Sequence, residues 1–132
     1  MKYLFQILGL VFLATAYLAC ENTAGEQENS KEAYTDVDVN GFKKLMEQHP
    51  DVMILDVRTP EEYAAGNIKG STLINVNDPN FEAKVEKLPK DRKYLVYCRS
   101  GQRSVTACNI MAQKGFEDLT NLLGGYMAWE EE

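Results

Sequence analysis

The chain has 132 residues, room for one domain and an appendage, and its 45% hydrophobic and 26% charged residues are those of an ordinary globular protein. Lys and Arg total 14 against 20 Asp and Glu, and the resulting charge of −6 argues against a nucleic-acid partner, which would want a basic face. Three cysteines are too few for a disulfide framework, their odd number leaves at least one unpaired, and with one histidine they offer no cluster of metal-ligand spacing.

The amino end opens on Met1-Lys2, and Ile7 to Ala19 is apolar apart from Thr15. A run of that length suits a signal-peptide core better than a membrane span, which needs about 20 residues. It stops at Leu18-Ala19-Cys20, which resembles the lipobox of bacterial lipoproteins, with Tyr17 where that family usually has Leu. The resemblance implies a signal peptide over residues 1–19 and lipidation of Cys20. It further implies a chain anchored to a membrane of the bacterial cell envelope and exposed outside the cytoplasm, where an envelope protein partner is possible. An uncleaved anchor and an ordinary signal peptide are the alternatives. Residues 20–33 carry almost no large apolar side chain and several acidic ones, so they are expected to form a flexible acidic tether. Its reach is on the order of 20 Å by random-coil scaling.

From Tyr34 onward the pattern alternates. Tyr34 to Val37 is a short strand candidate. Asp38 or Asn40 then caps a helix with Phe42, Leu45 and Met46 on one face, ended by His49-Pro50. His49 reads as a solvent-facing turn residue rather than a catalytic base. Val52 to Val57 is apolar except for Asp56 and reads as a central parallel strand, with Asp56 and Arg58 at its carboxyl end. Those two residues form either a structural ion pair or a substrate contact. Thr59-Pro60-Glu61-Glu62 starts a helix with a capping box, and Gly66 stops it. Ser71 to Val76 is a further strand. Asn77 to Asn80 breaks the chain and caps a helix from Phe81 to Leu88.

Tyr94 to Tyr97 is a buried strand that ends on Cys98, and Arg99-Ser100-Gly101-Gln102-Arg103-Ser104 leads into a helix. The carboxyl ends of strands are where open α/β sheets place their sites. A loop of this composition can curl its N–H groups toward the sulfur, with Gly101 permitting the turn. The helix start and the two arginines add positive potential. All of these favour thiolate, so Cys98 is expected to be acidic, exposed and nucleophilic. The alternative is a buried cysteine acting as a small hydrophobe. The helix runs to about Lys114 with Val105, Cys108, Met111 and Ala112 inward, which makes Cys108 a core residue too far away for a disulfide with Cys98. Gly115 ends it. Asp118 to Leu123 is the last strand, Gly124-Gly125 turns the chain, and Tyr126 to Glu131 closes it with Trp129 as anchor. Alternation of this kind implies an α/β fold with a five-stranded, mostly parallel sheet and helices on both faces.

Four motifs in order resemble the rhodanese family. They are Leu55-Asp56-Val57-Arg58 with Glu61-Glu62-Tyr63, then Gly66-Asn67-Ile68-Lys69-Gly70-Ser71, the Cys98 loop, and Leu123-Gly124-Gly125-Tyr126-Met127-Ala128-Trp129. Asn67 stands where that family usually carries His, at what looks like a structural hydrogen-bonding position. The resemblance implies a single rhodanese domain over residues 34–132 that works as a sulfurtransferase without a cofactor. In it Cys98 takes a sulfane sulfur from a small anionic donor such as thiosulfate. The resulting persulfide passes the sulfur to a thiol or cyanide acceptor. Arg99, Ser100, Gly101, Gln102, Arg103, Ser104 and Arg58 are the expected substrate-binding residues, with Asp56 and Glu62 as structural support. A persulfide carrier of low turnover is the competing reading. A phosphatase or arsenate reductase is another, but such loops need an arginine six residues after the cysteine, where this chain has Ser104.

Overall fold

The computed structural model describes residues 31–132, so the expected signal peptide and the lipidation candidate Cys20 lie outside the described residues. Ten elements follow one another as β1 (Thr35–Val37), α1 (Val39–Gln48), β2 (Met53–Asp56), α2 (Pro60–Ala65), β3 (Ser71–Leu73), α3 (Phe81–Glu86), β4 (Lys93–Tyr97), α4 (Gln102–Gln113), β5 (Asp118–Leu122) and α5 (Gly125–Glu130). The five strands form one sheet in the order β1-β5-β4-β2-β3. Every pairing is parallel, so the sheet is wholly rather than mostly so. All strand carboxyl ends therefore share one edge, and β4 and β2, at the centre of that edge, deliver Cys98 and Asp56 to it side by side.

The central strands are apolar on both faces because both are covered. On one side α3 and α4 contribute Phe81, Val85, Ala107, Cys108 and Met111 to a cluster with Leu55, Val57, Tyr94, Val96 and Cys98. On the other, Val39 and Phe42 of α1 meet Ile54, Leu95, Tyr97 and Leu122, and α5 packs Ala128 and Trp129 against them. Trp129 is the expected anchor, its ring edge-on to Phe42 with centroids 6.2 Å apart.

Local chemistry accounts for most boundaries. Asp38 caps α1, accepting from the Gly41 N–H at 2.8 Å. Thr59 and Glu62 complete a capping box at α2. His49 closes α1 at the amino-terminal edge of the sheet, the opposite edge from Cys98, and takes no part in the site. Three expectations are corrected. The third strand is shorter, ending at Leu73, because beyond it only the Ile74 amide reaches β2, at Asp56, and the Val76 amide bonds to Val57 past the end of that strand. The third helix stops at Glu86, and Asn80 gives it no side-chain cap; Asp78 accepts from the Asn80 N–H and steadies the turn before it. The inner stripe of α4 is Ser104, Ala107, Cys108 and Met111, with Val105 and Ala112 only partly covered. The helix is thus rotated so that Ser104 faces the sulfur.

Candidate active site

β4 ends at Tyr97, and the next residue, Cys98, begins a loop that turns back over its own sulfur. Gly101 makes the turn with φ of 101°, in the left-handed region that side chains with a Cβ disfavour. That conformation aims its N–H at Cys98 Sγ, 3.1 Å away. Ser104, in the first turn of α4, sets its hydroxyl 3.3 Å from the same sulfur. Burial pushes the Cys98 thiol up, but hydrogen bonding to the Ser104 hydroxyl and to the N–H groups of Ser104, Gly101 and Ser100 outweighs it. The thiol is left below its ordinary value. This is the thiolate-favouring cradle that the loop composition implied.

The exposure expected of that sulfur is not found. Cys98 has 0% accessible surface and belongs to the apolar cluster under α3 and α4. The exposed part of the loop is Arg99, Ser100 and Gln102. The sulfur is therefore roofed by the residues that also stabilise its charge. It is buried, but beside amide and hydroxyl donors rather than among hydrocarbon alone.

A second contact fixes the loop from behind. The first amides of α5 grip it, Tyr126 N–H donating to the Cys98 carbonyl at 2.7 Å and Met127 N–H to the Arg99 carbonyl at 3.0 Å. They come this close only because Gly125 has no side chain. A Cβ there would lie 2.5 Å from both carbonyl oxygens. Sequence reasoning read Gly124-Gly125 as a turn and missed this clamp, although two glycines directly before an apolar helix are its trace.

The three arginines near the site have separate assignments. Arg58 is buried and held in a two-pronged pair with Asp56, Nε to Oδ1 at 2.9 Å and Nη2 to Oδ2 at 2.6 Å, and Nη2 also donates to the Gly66 carbonyl at 2.7 Å. The rings of Tyr126 and Tyr97 lie 4.3 and 5.4 Å from its guanidinium carbon. The guanidinium thus ties β2 to the end of α2. Arg103 forms a parallel pair with Glu62, both N–O distances 2.8 Å, which joins the start of α4 to the start of α2. Arg103's hydrogen bonds hold the Glu62 carboxyl down at about 2, against the opposing effect of burial. Asp56 and Glu62 thus each hold one arginine in place. Arg99 is exposed and, among the described residues, has no ion-pair partner.

Two neighbours complete the frame. The Tyr97 hydroxyl accepts from the Ile68 N–H at 3.0 Å and shares a hydrogen bond with Ser71 Oγ, and burial carries it well above the usual tyrosine range. Asn67 donates to the Tyr63 carbonyl at 3.1 Å, the structural hydrogen bond expected at that position.

Comparison with known proteins places this geometry. Residues 38–132 match the family described as Rhodanese-like domain. A sulfurtransferase of Allochromatium vinosum is 34% identical over 94 residues, covering 71% of this chain and 86% of its own length. The thiosulfate sulfurtransferase GlpE of Pseudoalteromonas translucida is 38% identical over 81 residues, covering 61% of this chain and 74% of its own. The crystal structure of a rhodanese-related protein from Thermoplasma volcanium superposes with a TM-score of 0.63 at 31% identity, covering 74% of this chain and 92% of that one.

Proposed function

This chain belongs to the rhodanese-like domain family, and we propose that it is a sulfurtransferase working through a persulfide on Cys98. The observation that carries the reading is the sulfur itself, bonded to the Gly101 N–H and the Ser104 hydroxyl at the carboxyl end of a central strand. A thiolate held this way needs no general base, and none of the side chains around it supplies one. With thiosulfate as donor, Sγ attacks the outer sulfur. The Sγ–S bond forms, the S–S bond of thiosulfate breaks, and sulfite leaves with the electron pair. Cyanide or a thiol then removes the outer sulfur and returns the thiolate. The amides of the loop and the dipole of α4 stabilise the persulfide anion. Arg99, exposed and unpaired among the described residues, meets the incoming anion. The donor reaches Sγ when the loop over it yields.

Intact-mass measurement after thiosulfate treatment tests this. One added sulfur atom is expected on the wild type and none on Cys98→Ser; equal loading of both would overturn the assignment. The full burial of Cys98 favours one second reading, a persulfide carrier that turns over small donors slowly. Stable loading of Cys98 with cyanolysis near background would select it. Phosphate-ester hydrolysis is disfavoured, because the sixth position after the cysteine holds Ser104 against the sulfur instead of an arginine.

The proposal extends to location. The apolar run before Leu18-Ala19-Cys20 and the acidic stretch after it support a lipid-anchored domain on a short tether in the cell envelope. Incorporation of a clickable fatty acid that is lost in Cys20→Ala is the expected result, and equal labelling of both chains would refute it.

A further inference from the structure

Beside the Cys98 loop lies a cleft of about 350 Å³ whose walls include Arg58, Glu61, Glu62, Arg99, Tyr126 and Glu130. It is joined to the sulfur through the backbone: Arg99 follows Cys98, and the Tyr126 N–H holds the Cys98 carbonyl. Two of its charges are already matched from outside the cleft, Arg58 by Asp56 and Glu62 by Arg103. Arg99, Glu61 and Glu130 are exposed and, among the described residues, have no ion-pair partner. The cleft therefore presents one free cation and two free carboxylates beside the Tyr126 ring.

That charge pattern discriminates between ligands. A dianionic donor drawn to the loop by Arg99 meets two carboxylates with no counterion in the cleft, so the cleft itself does not hold the donor. A molecule bearing one carboxylate and one ammonium matches both signs. The volume, near the small end for ligand pockets, suits an amino acid or short peptide. Resting on the sulfurtransferase reading above, we propose that this cleft selects the acceptor, a low-molecular-mass zwitterionic thiol of the cysteine class. Its carboxylate lies on Arg99 and its ammonium on Glu61 and Glu130. The acceptor sulfur bonds to the outer sulfur of the Cys98 persulfide, and the Sγ–S bond breaks with its electron pair returning to Sγ. The acceptor's proton leaves with the newly formed persulfide. One persulfide is consumed and one is made, so no outside oxidant or reductant enters.

The test uses the full chain loaded with sulfur from polysulfide, then discharged in single turnovers. The acceptors are L-cysteine, cysteamine, 3-mercaptopropionate and 2-mercaptoethanol, with rates compared per thiolate along a common basicity line, and cyanide. Cysteine is expected about fivefold above the line through 2-mercaptoethanol, the size two solvent-exposed pairs support. Cysteamine lies above the line and 3-mercaptopropionate does not. The double variant Glu61→Gln/Glu130→Gln brings cysteine and cysteamine down to the line and leaves cyanide within about twofold, and Arg99→Gln lowers cysteine but not cysteamine. Four thiols on one line, or a double variant indistinguishable from wild type with cysteine, would overturn the acceptor assignment while leaving sulfur transfer intact. A chain that acquires no sulfur on Cys98 removes both readings.

Discussion

Cys98 and Cys108 sit in the same loop–helix unit, ten residues apart, and each has 0% of its surface exposed. Both belong to the same apolar cluster. Their acidities nevertheless diverge. Burial pushes the Cys108 thiol up to about 12, helped by the nearby Asp36 and Cys98, and nothing opposes it. Cys98 feels the same burial and ends below its ordinary value because the loop turns donors onto it. Depth therefore does not decide which thiol is the nucleophile; the donors in reach of the sulfur do. The difference is one of position along the helix. Cys98 precedes the first turn of α4, where amides still lack intrahelical partners, whereas Cys108 lies in the middle, where they are all used.

The comparison can be broken most completely by exchanging each sulfur for oxygen. Cys98→Ser is expected to abolish thiosulfate-to-cyanide sulfur transfer. Cys108→Ser should keep most of it while losing about 1–3 kcal/mol of stability from a buried hydroxyl. Equal loss of activity in the two, measured on folded protein, would put the distinction in doubt. Disturbing the clamp comes next. Gly125→Ala forces a methyl group onto the Cys98 and Arg99 carbonyls, and a destabilisation of about 2–3 kcal/mol is expected by thermal or urea unfolding. Its Cys98 should also alkylate with a pH midpoint shifted upward, because the loop that delivers the Gly101 N–H has moved.

Ser104→Ala removes one donor and leaves the fold. Sulfur transfer should fall about tenfold at neutral pH, and the iodoacetamide pH profile of Cys98 should move toward that of Cys108. An unshifted profile would mean that the backbone amides suffice. The smallest effect concerns the Glu62–Arg103 pair. Glu62 titrates at about 2 in the folded chain against an ordinary value of 4.5. Its folded value is the lower one, so its contribution is fully present above pH 4.5 and is lost as pH falls from there toward 2. Because the pair is partly open to solvent, Glu62→Gln is expected to lose a modest amount of stability near neutrality, and that deficit should shrink as pH falls through this window, read by urea unfolding at each pH.

Much of this protein follows from local chemistry. The alternating elements, Asp38 and Thr59 as caps, Gly101 as the turn residue and a cysteine at a strand's carboxyl end all depend on residues within a turn or two of each other, so short-range patterns carry them. The inward face of α4 was read one position off, with Val105 in place of Ser104, because the apolar residues define a stripe broad enough to rotate. What only the folded chain decided are relations between distant residues. Arg58, Arg99 and Arg103 are alike in sequence. Arg58 pairs with Asp56 two positions away, one of the two readings the sequence offered, but only the fold pairs Arg103 with Glu62 from 41 positions away and leaves Arg99 open, because those charges are assigned by whichever carboxylate the sheet topology brings near. The covering of Cys98 and the grip of Gly125 on its carbonyl have the same origin. They arise where β4 and the turn after β5 meet, and neither stretch contains the other's geometry.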